Sequence, residues 1–133
     1  MMVQQITAHD VAAPGGHYAH AVRHGDTIYI SGQLPVAPDG THRADADFAQ
    51  QARRALANLL AVAKAAGADR DRLVKVTAYI VDVADWPIFN IVYAEMMGDA
   101  RPARSVVTVP ALHHGYLIEV EAIAAMPGER PQN

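Results

Sequence analysis

The sequence predicts an α+β domain in which two helices lie on one face of a mixed sheet. Three observations carry this. Apolar residues recur at helical spacing over 48–66 and again over 89–97. The segments around them alternate in polarity or are rich in β-branched residues, as strands are. Taken in order they read β-β-α-β-α-β-β, and two strand–helix–strand units with right-handed crossovers place both helices on the same side.

The first two strands form a hairpin, with 18–23 and 27–31 flanking a turn at His24-Gly25-Asp26. The following PVAPDGTHR is loop, with Pro38-Asp39-Gly40 as its turn signal. Asp47 and Gln50 make a D-x-x-Q opening suited to a helix start. Phe48, Ala52, Ala55, Leu56, Leu59, Leu60, Ala63 and Ala66 then mark the core face, and Gly67 ends the helix. In RLVKVTAYIVDV, Val74, Val76, Ala78 and Ile80 share one face of a strand; Lys75, Thr77, Tyr79 and Val81 share the other. Asp85 is placed to cap a second helix, with Pro87 in its first turn. Phe89, Val92, Tyr93, Met96 and Met97 give that helix its apolar face and Gly98 its stop. SVVTV and YLIEVEAIAA are the last strands. In the latter, Tyr116, Ile118, Val120 and Ala122 point one way, and Leu117, Glu119, Glu121 and Ile123 the other.

At 133 residues the chain reads as a single domain over 1–133, with 126–133 (MPGERPQN) as a loose tail. Hydrophobic residues make up 51% and charged residues 19%, which excludes a disordered chain. The helix-free sheet face carries Val81, Leu117 and Ile123, too apolar to leave in water, so self-association through that face is expected. A net charge of -3, without a basic–aromatic stripe, argues against nucleic acid as partner. With no cysteine there is no disulfide, thiolate catalysis or cysteine–metal site. The adjacent His113-His114 lack a ligand pattern, so no metal is expected. No run approaches the roughly 18 apolar residues of a membrane span, and MMVQQITAHD lacks a secretory pattern. The expectation is a cytoplasmic protein without a membrane partner.

Two residues stand out as candidate chemistry. Arg104, at the mouth of the SVVTV strand, is permanently charged and suited to grip a small organic acid bidentately. Glu119, placed on a neighbouring strand, could activate water as a general base. On spacing alone the pair reads more readily as a structural ion pair.

The stretches SGQLPV (31–36), ARSVVTV (103–109) and IEVEAIA (118–124) resemble the reactive intermediate deaminase family, RidA/YjgF, once labelled endoribonuclease L-PSP. HYAHAV, RALANLLAVAKAAGA and NIVYAEMM add to the likeness, which covers nearly the whole chain in order. The resemblance implies a chorismate-mutase-like fold and a barrel-like homotrimer with active sites between subunits. It also implies hydrolysis of reactive 2-imino or enamino acids, of the 2-iminobutanoate/2-iminopropanoate type, to 2-keto acids and ammonia, without metal or organic cofactor. Carried over residue by residue, Arg104 would bind the substrate carboxylate and Glu119 would position water or shuttle its proton. Tyr18, Ser31, Gly32, Asn90 and Val106 would line the substrate site, while Glu121 has a structural partner. Val106 stands where the family often has a small polar residue or cysteine, His17 where it has proline, and ALHHGY replaces a proline-containing loop. A specialised relative acting on an aminomuconate- or aminoacrylate-like compound, a non-catalytic acid-binding or protective protein, and a ribonuclease are the competing readings.

Overall fold

The computed structural model describes residues 2–128. Its strands are β1 (Val3–Ile6), β2 (Ala21–His24), β3 (Thr27–Gln33), β4 (Leu73–Ile80), β5 (Ala103–Thr108) and β6 (Ile118–Ala125); its helices are α1 (Phe48–Ala65) and α2 (Trp86–Met97). The strands form one mixed sheet in the order β1-β2-β3-β6-β4-β5, parallel between β4 and β5 and antiparallel at the other pairings. The last strand in sequence is therefore inserted between β3 and β4 and becomes central.

Local signals set the helix ends. The Asp47 carboxylate accepts from the Gln50 N–H at 2.8 Å. At the other end Gly67 takes φ +94°, its N–H bonds the Lys64 carbonyl, and the Ala68 N–H bonds that of Ala63. This double closure needs the left-handed residue that glycine supplies without strain. Leu56, Leu59 and Val62 of α1 and Phe89 and Val92 of α2 pack against Ile28, Val76, Ile80, Ile118 and Val120 of the sheet, all essentially inaccessible to solvent. Burial of side chains this size contributes roughly 1.5–3 kcal/mol each, which is what holds both helices to one sheet face.

The structure departs from the sequence reading at several points. β1 is an additional strand, and β2 starts at Ala21, so Tyr18 lies in the preceding loop rather than in a strand. Val74 is 52% exposed, not in the core, because Leu73 pairs with Ala124 and Lys75 with Ile123. That bulge makes Val74 the extra residue and sends Leu73 into the core in its place. Asp85 makes no side-chain cap; Asp82 does the capping, accepting from the Ala84 N–H at 2.9 Å in the short turn before α2. The tail has Met126 tied to Asp26 by a backbone bond of 2.8 Å; residues 129–133 lie outside the described residues. Among the described residues no helix is long and apolar enough to cross a membrane.

Candidate functional site

Glu119 stands on the central strand, beside an irregularity in its neighbour. Ile30 pairs with Ala122 and Gln33 with Val120, so β3 spends one more residue than β6 over this interval. The bulge falls at Ser31-Gly32 and brings Gly32 against the Glu119 side chain. Ser31 anchors the bulge from behind: its hydroxyl donates to the Ala19 carbonyl at 2.7 Å and its N–H to that of His20 at 3.0 Å. Tyr18, three residues before β2, is half-exposed, and its hydroxyl accepts from the Gly15 N–H at 3.2 Å. Tyr18, Gly32 and Glu119 line one cleft of about 590 Å³, together with Leu34, Val36 and His113. Ser31 does not line it; its role there is support.

Buried polar side chains fix the walls of this cleft. His20 accepts at Nδ1 from the Ala8 N–H (3.0 Å) and donates from Nε2 to the Ala12 carbonyl (2.8 Å), which specifies its tautomer and pins the N-terminal loop. Asn58 donates to the Leu34 and Val36 carbonyls. Gln51 donates to the carbonyls of Ala44 and Ala46 and accepts from the Leu117 N–H at 2.9 Å, two residues before Glu119. Buried amides satisfied at both ends specify one loop geometry, since any other leaves donors unpaired.

Arg104 and Asn90 sit elsewhere. They line a second cleft of about 310 Å³ with Tyr93, Arg101 and Pro102. The Arg104 guanidinium lies over the aromatic platform of α2, 5.0 Å from the Tyr93 ring centre and 5.4 Å from that of Phe89. These contacts hold a cation by attraction to the ring faces while leaving its hydrogen-bond donors free. Val106 lines neither cleft: it pairs with Ala78 and packs partly buried against the core.

Arg104 and Glu119 are not on neighbouring strands, and they form no ion pair. β4 lies between β5 and β6. Arg104 pairs with Val76, on the helix-covered face; Glu119 pairs with Tyr79, on the open face. The two clefts differ in the charge of their lining. The Glu119 cleft has no arginine or lysine in its lining, and the Arg104 cleft has no carboxylate. The open face between them exposes Tyr29 and Val107 around Leu117 and Ile123.

Burial, and after it the charge of Glu121, raise the Glu119 carboxyl above the usual carboxylate range, with His113 opposing. That is the direction a general base working near neutrality needs. Glu121 accepts from the Tyr79 hydroxyl at 2.9 Å, the structural partner anticipated for it. The bond and the nearby carboxylates raise the Tyr79 hydroxyl. His113 and His114 are exposed at the cleft mouth, with His114 at φ +61°. The His42 ring stacks on His114 at 4.2 Å and bonds the Tyr116 hydroxyl through Nδ1 at 2.7 Å.

Asn58, His42, Tyr93 and Arg101 line the clefts but are absent from the sequence-derived site. Asn58 had a legible signal: it falls on the buried stripe of α1, between Ala55 and Leu59, where an amide has to satisfy itself on something. Nothing local distinguishes the other three.

The comparisons with known proteins give the family and the fold. The sequence model described as Endoribonuclease L-PSP matches residues 8–126. A RutC family protein of Pyrococcus horikoshii is 37% identical over 92% of this chain and 98% of its own. The human 2-iminobutanoate/2-iminopropanoate deaminase is 39% identical over 84% of this chain and 83% of its own. The crystal structure of E. coli TdcF with bound serine superposes with a TM-score of 0.86 at 33% identity, covering 92% of this chain and 98% of that one. With that match across its length, and with relatives of this identity along nearly all of it, the chain belongs to the RidA/YjgF family, described as endoribonuclease L-PSP.

Proposed function

We propose that this protein is a hydrolytic deaminase of 2-imino and enamino acids, acting in the cytoplasm as a homotrimer without a metal or organic cofactor. Each site is assembled between subunits, with Arg104 and Asn90 from one and Glu119, Gly32 and Tyr18 from its neighbour. The observation that carries this reading is the separation of Arg104 and Glu119 onto opposite sheet faces, each in a cleft lacking the other's charge. The human relative's deaminase name and the family membership support the reaction class. The uncovered apolar sheet face supports the assembly.

The chemistry asks little of the protein. Arg104 binds the carboxylate and so fixes the imine carbon. Glu119, as carboxylate, takes a proton from a water that adds its oxygen to that carbon. Glu119 returns that proton to the nitrogen of the resulting carbinolamine; the C–N bond then breaks as the hydroxyl proton passes to Glu119 and the carbonyl forms, and ammonia carries that proton away as ammonium. An enamine enters after tautomerising to the imine. Electrostatic stabilisation of the adding water and of the protonated imine supplies the acceleration.

A coupled assay tests the reading. A threonine or serine dehydratase supplies 2-iminobutanoate or 2-aminoacrylate, and keto acid formation is followed with wild type and Arg104→Ala. Acceleration that falls by about 10²-fold or more in the variant is the expected result, since orientation and charge are lost together. A folded protein that binds 2-oxobutanoate but does not accelerate hydrolysis would turn the assignment to an acid-binding protein. Acceleration confined to another imine would make it a specialised relative.

A further inference from the structure

We propose that the Arg104 cleft takes a substrate with two carboxylates, a 2-imino dicarboxylic acid, with Arg104 holding one carboxylate and Arg101 the other; this deepens the deaminase reading and rests on it.

The cleft is more basic than one carboxylate requires. Arg101 and Arg104 both line it, and its lining contains no aspartate or glutamate. Among the described residues neither guanidinium has an ion-pair partner; the two pairs present are Arg23–Asp26 and Arg53–Glu95. A third guanidinium, that of Arg70, packs against Gly98 at the cleft wall, where a β-carbon would lie 3.1 Å from it. One of its donors is given from Nη1 to the Met96 carbonyl at 3.1 Å, and its charge adds to the positive field of the cleft.

Tyr93 adds an independent observation. It is 9% exposed and lines the cleft beneath Arg104, yet its hydroxyl is buried without a hydrogen-bond partner. Buried hydroxyls in folded proteins are almost always paired, and an orphan beside an unpaired guanidinium marks a place for an acceptor. A carboxylate held by Arg104 would supply one. Arg101 and Arg104 reach this one cleft from either side of Pro102 and Ala103. Their long side chains can converge on the ends of a short diacid, and the cleft is at the small end of ligand pockets, suited to such a molecule.

The test uses stable keto-acid products as probes. Calorimetric titration of the purified protein with 2-oxobutanoate and with 2-oxoglutarate is repeated on Arg101→Gln, Tyr93→Phe and Arg104→Gln. The diacid should bind about tenfold tighter than the monoacid, the gain of one bidentate pair. Arg101→Gln should bring the diacid down to the monoacid, while monoacid affinity changes less than about twofold. Tyr93→Phe should weaken both several-fold, and Arg104→Gln should remove both. Equal binding of the two acids by wild type, no binding of either, or a preference that survives Arg101→Gln would overturn the proposal. Hydrolysis of 2-iminobutanoate without any diacid preference would overturn it alone. A diacid preference without imine hydrolysis would instead overturn the deaminase reading and leave this cleft as a diacid site.

Discussion

The Glu119 carboxylate occupies the space a side chain at residue 32 would need: a β-carbon on Gly32 would lie 2.9 Å from Oε2 and 3.0 Å from Cδ. Gly32 carries no unusual φ, so the reason for glycine here is contact rather than backbone conformation. Because the atoms met are the free end of a flexible side chain, Gly32→Ala should displace the carboxylate rather than disrupt the fold. Stability should change by no more than about 1 kcal/mol. Imine hydrolysis should fall by about tenfold or more, since water is then presented off line. A variant with full activity would show that the carboxylate's position does not matter, and Glu119 would lose its assigned role.

The raised Glu119 carboxyl makes a prediction about pH. Only the deprotonated form accepts a proton from water, so the acid limb of kcat/KM should lie above the ordinary value of 4.5. The residual activity of Glu119→Gln should lack that limb; if the limb persists in the variant, another group is the base. Stability follows with the opposite sense. A carboxyl raised in the folded state binds its proton more readily there, so wild type gains stability as pH falls through the folded pKa and loses it as pH rises. Glu119→Gln should therefore raise Tm at neutral pH, with the difference fading under acid conditions. For a part-buried group still screened by water the rise is about 1–2 °C.

Gln51 links the walls of the Glu119 cleft to the start of β6. Gln51→Ala leaves the Leu117 N–H and the Ala44 and Ala46 carbonyls without their partner in a 1% exposed site. We expect a loss of about 2–4 kcal/mol in denaturant unfolding, combining unpaired polar groups with a cavity. Asn58→Ala should act similarly through the Leu34 and Val36 carbonyls. Loss of activity without loss of stability would instead mean that the loops stay in place and the amide acts on the ligand.

What could be read from the sequence was whatever is decided locally. The extent of α1, its Asp47 cap and Gly67 stop, and the two faces of β6 all follow from spacing and turn chemistry. β1 escaped because VQQI has no clear alternation and is held by pairing with β2. The bulges at Val74 and at Ser31-Gly32 escaped because a register shift belongs to two strands at once. The same limit governed the site. Arg104 and Glu119 were both legible as candidates, and the resemblance implied a role for each. Placing them on adjacent strands failed because β6, last in sequence, inserts between β3 and β4. Strand order is a non-local property, and it turned an expected ion pair into two charged residues in separate clefts.

That separation yields the most direct prediction. If a site takes Arg104 from one subunit and Glu119 from another, Arg104→Ala and Glu119→Ala should each be inactive alone yet complement one another. In randomly mixed oligomers made by co-expression, half of the Arg104 contributions and half of the Glu119 contributions are intact. About one quarter of all sites should then be whole; homotrimers hold none and each mixed trimer holds one of its three, so the captured mixed species should recover about one third of the wild-type rate. Two different tags, with sequential capture, isolate the mixed species, and size-exclusion with light scattering fixes its stoichiometry. A charge on the open sheet face, such as Ile123→Glu, should abolish both the assembly and the complementation, because a buried unpaired carboxylate opposes association. If each chain instead built its site alone, every subunit in the mixture would carry one broken site. The captured oligomers would then show no more activity than the two variants assayed apart, and the shared site would have to be abandoned.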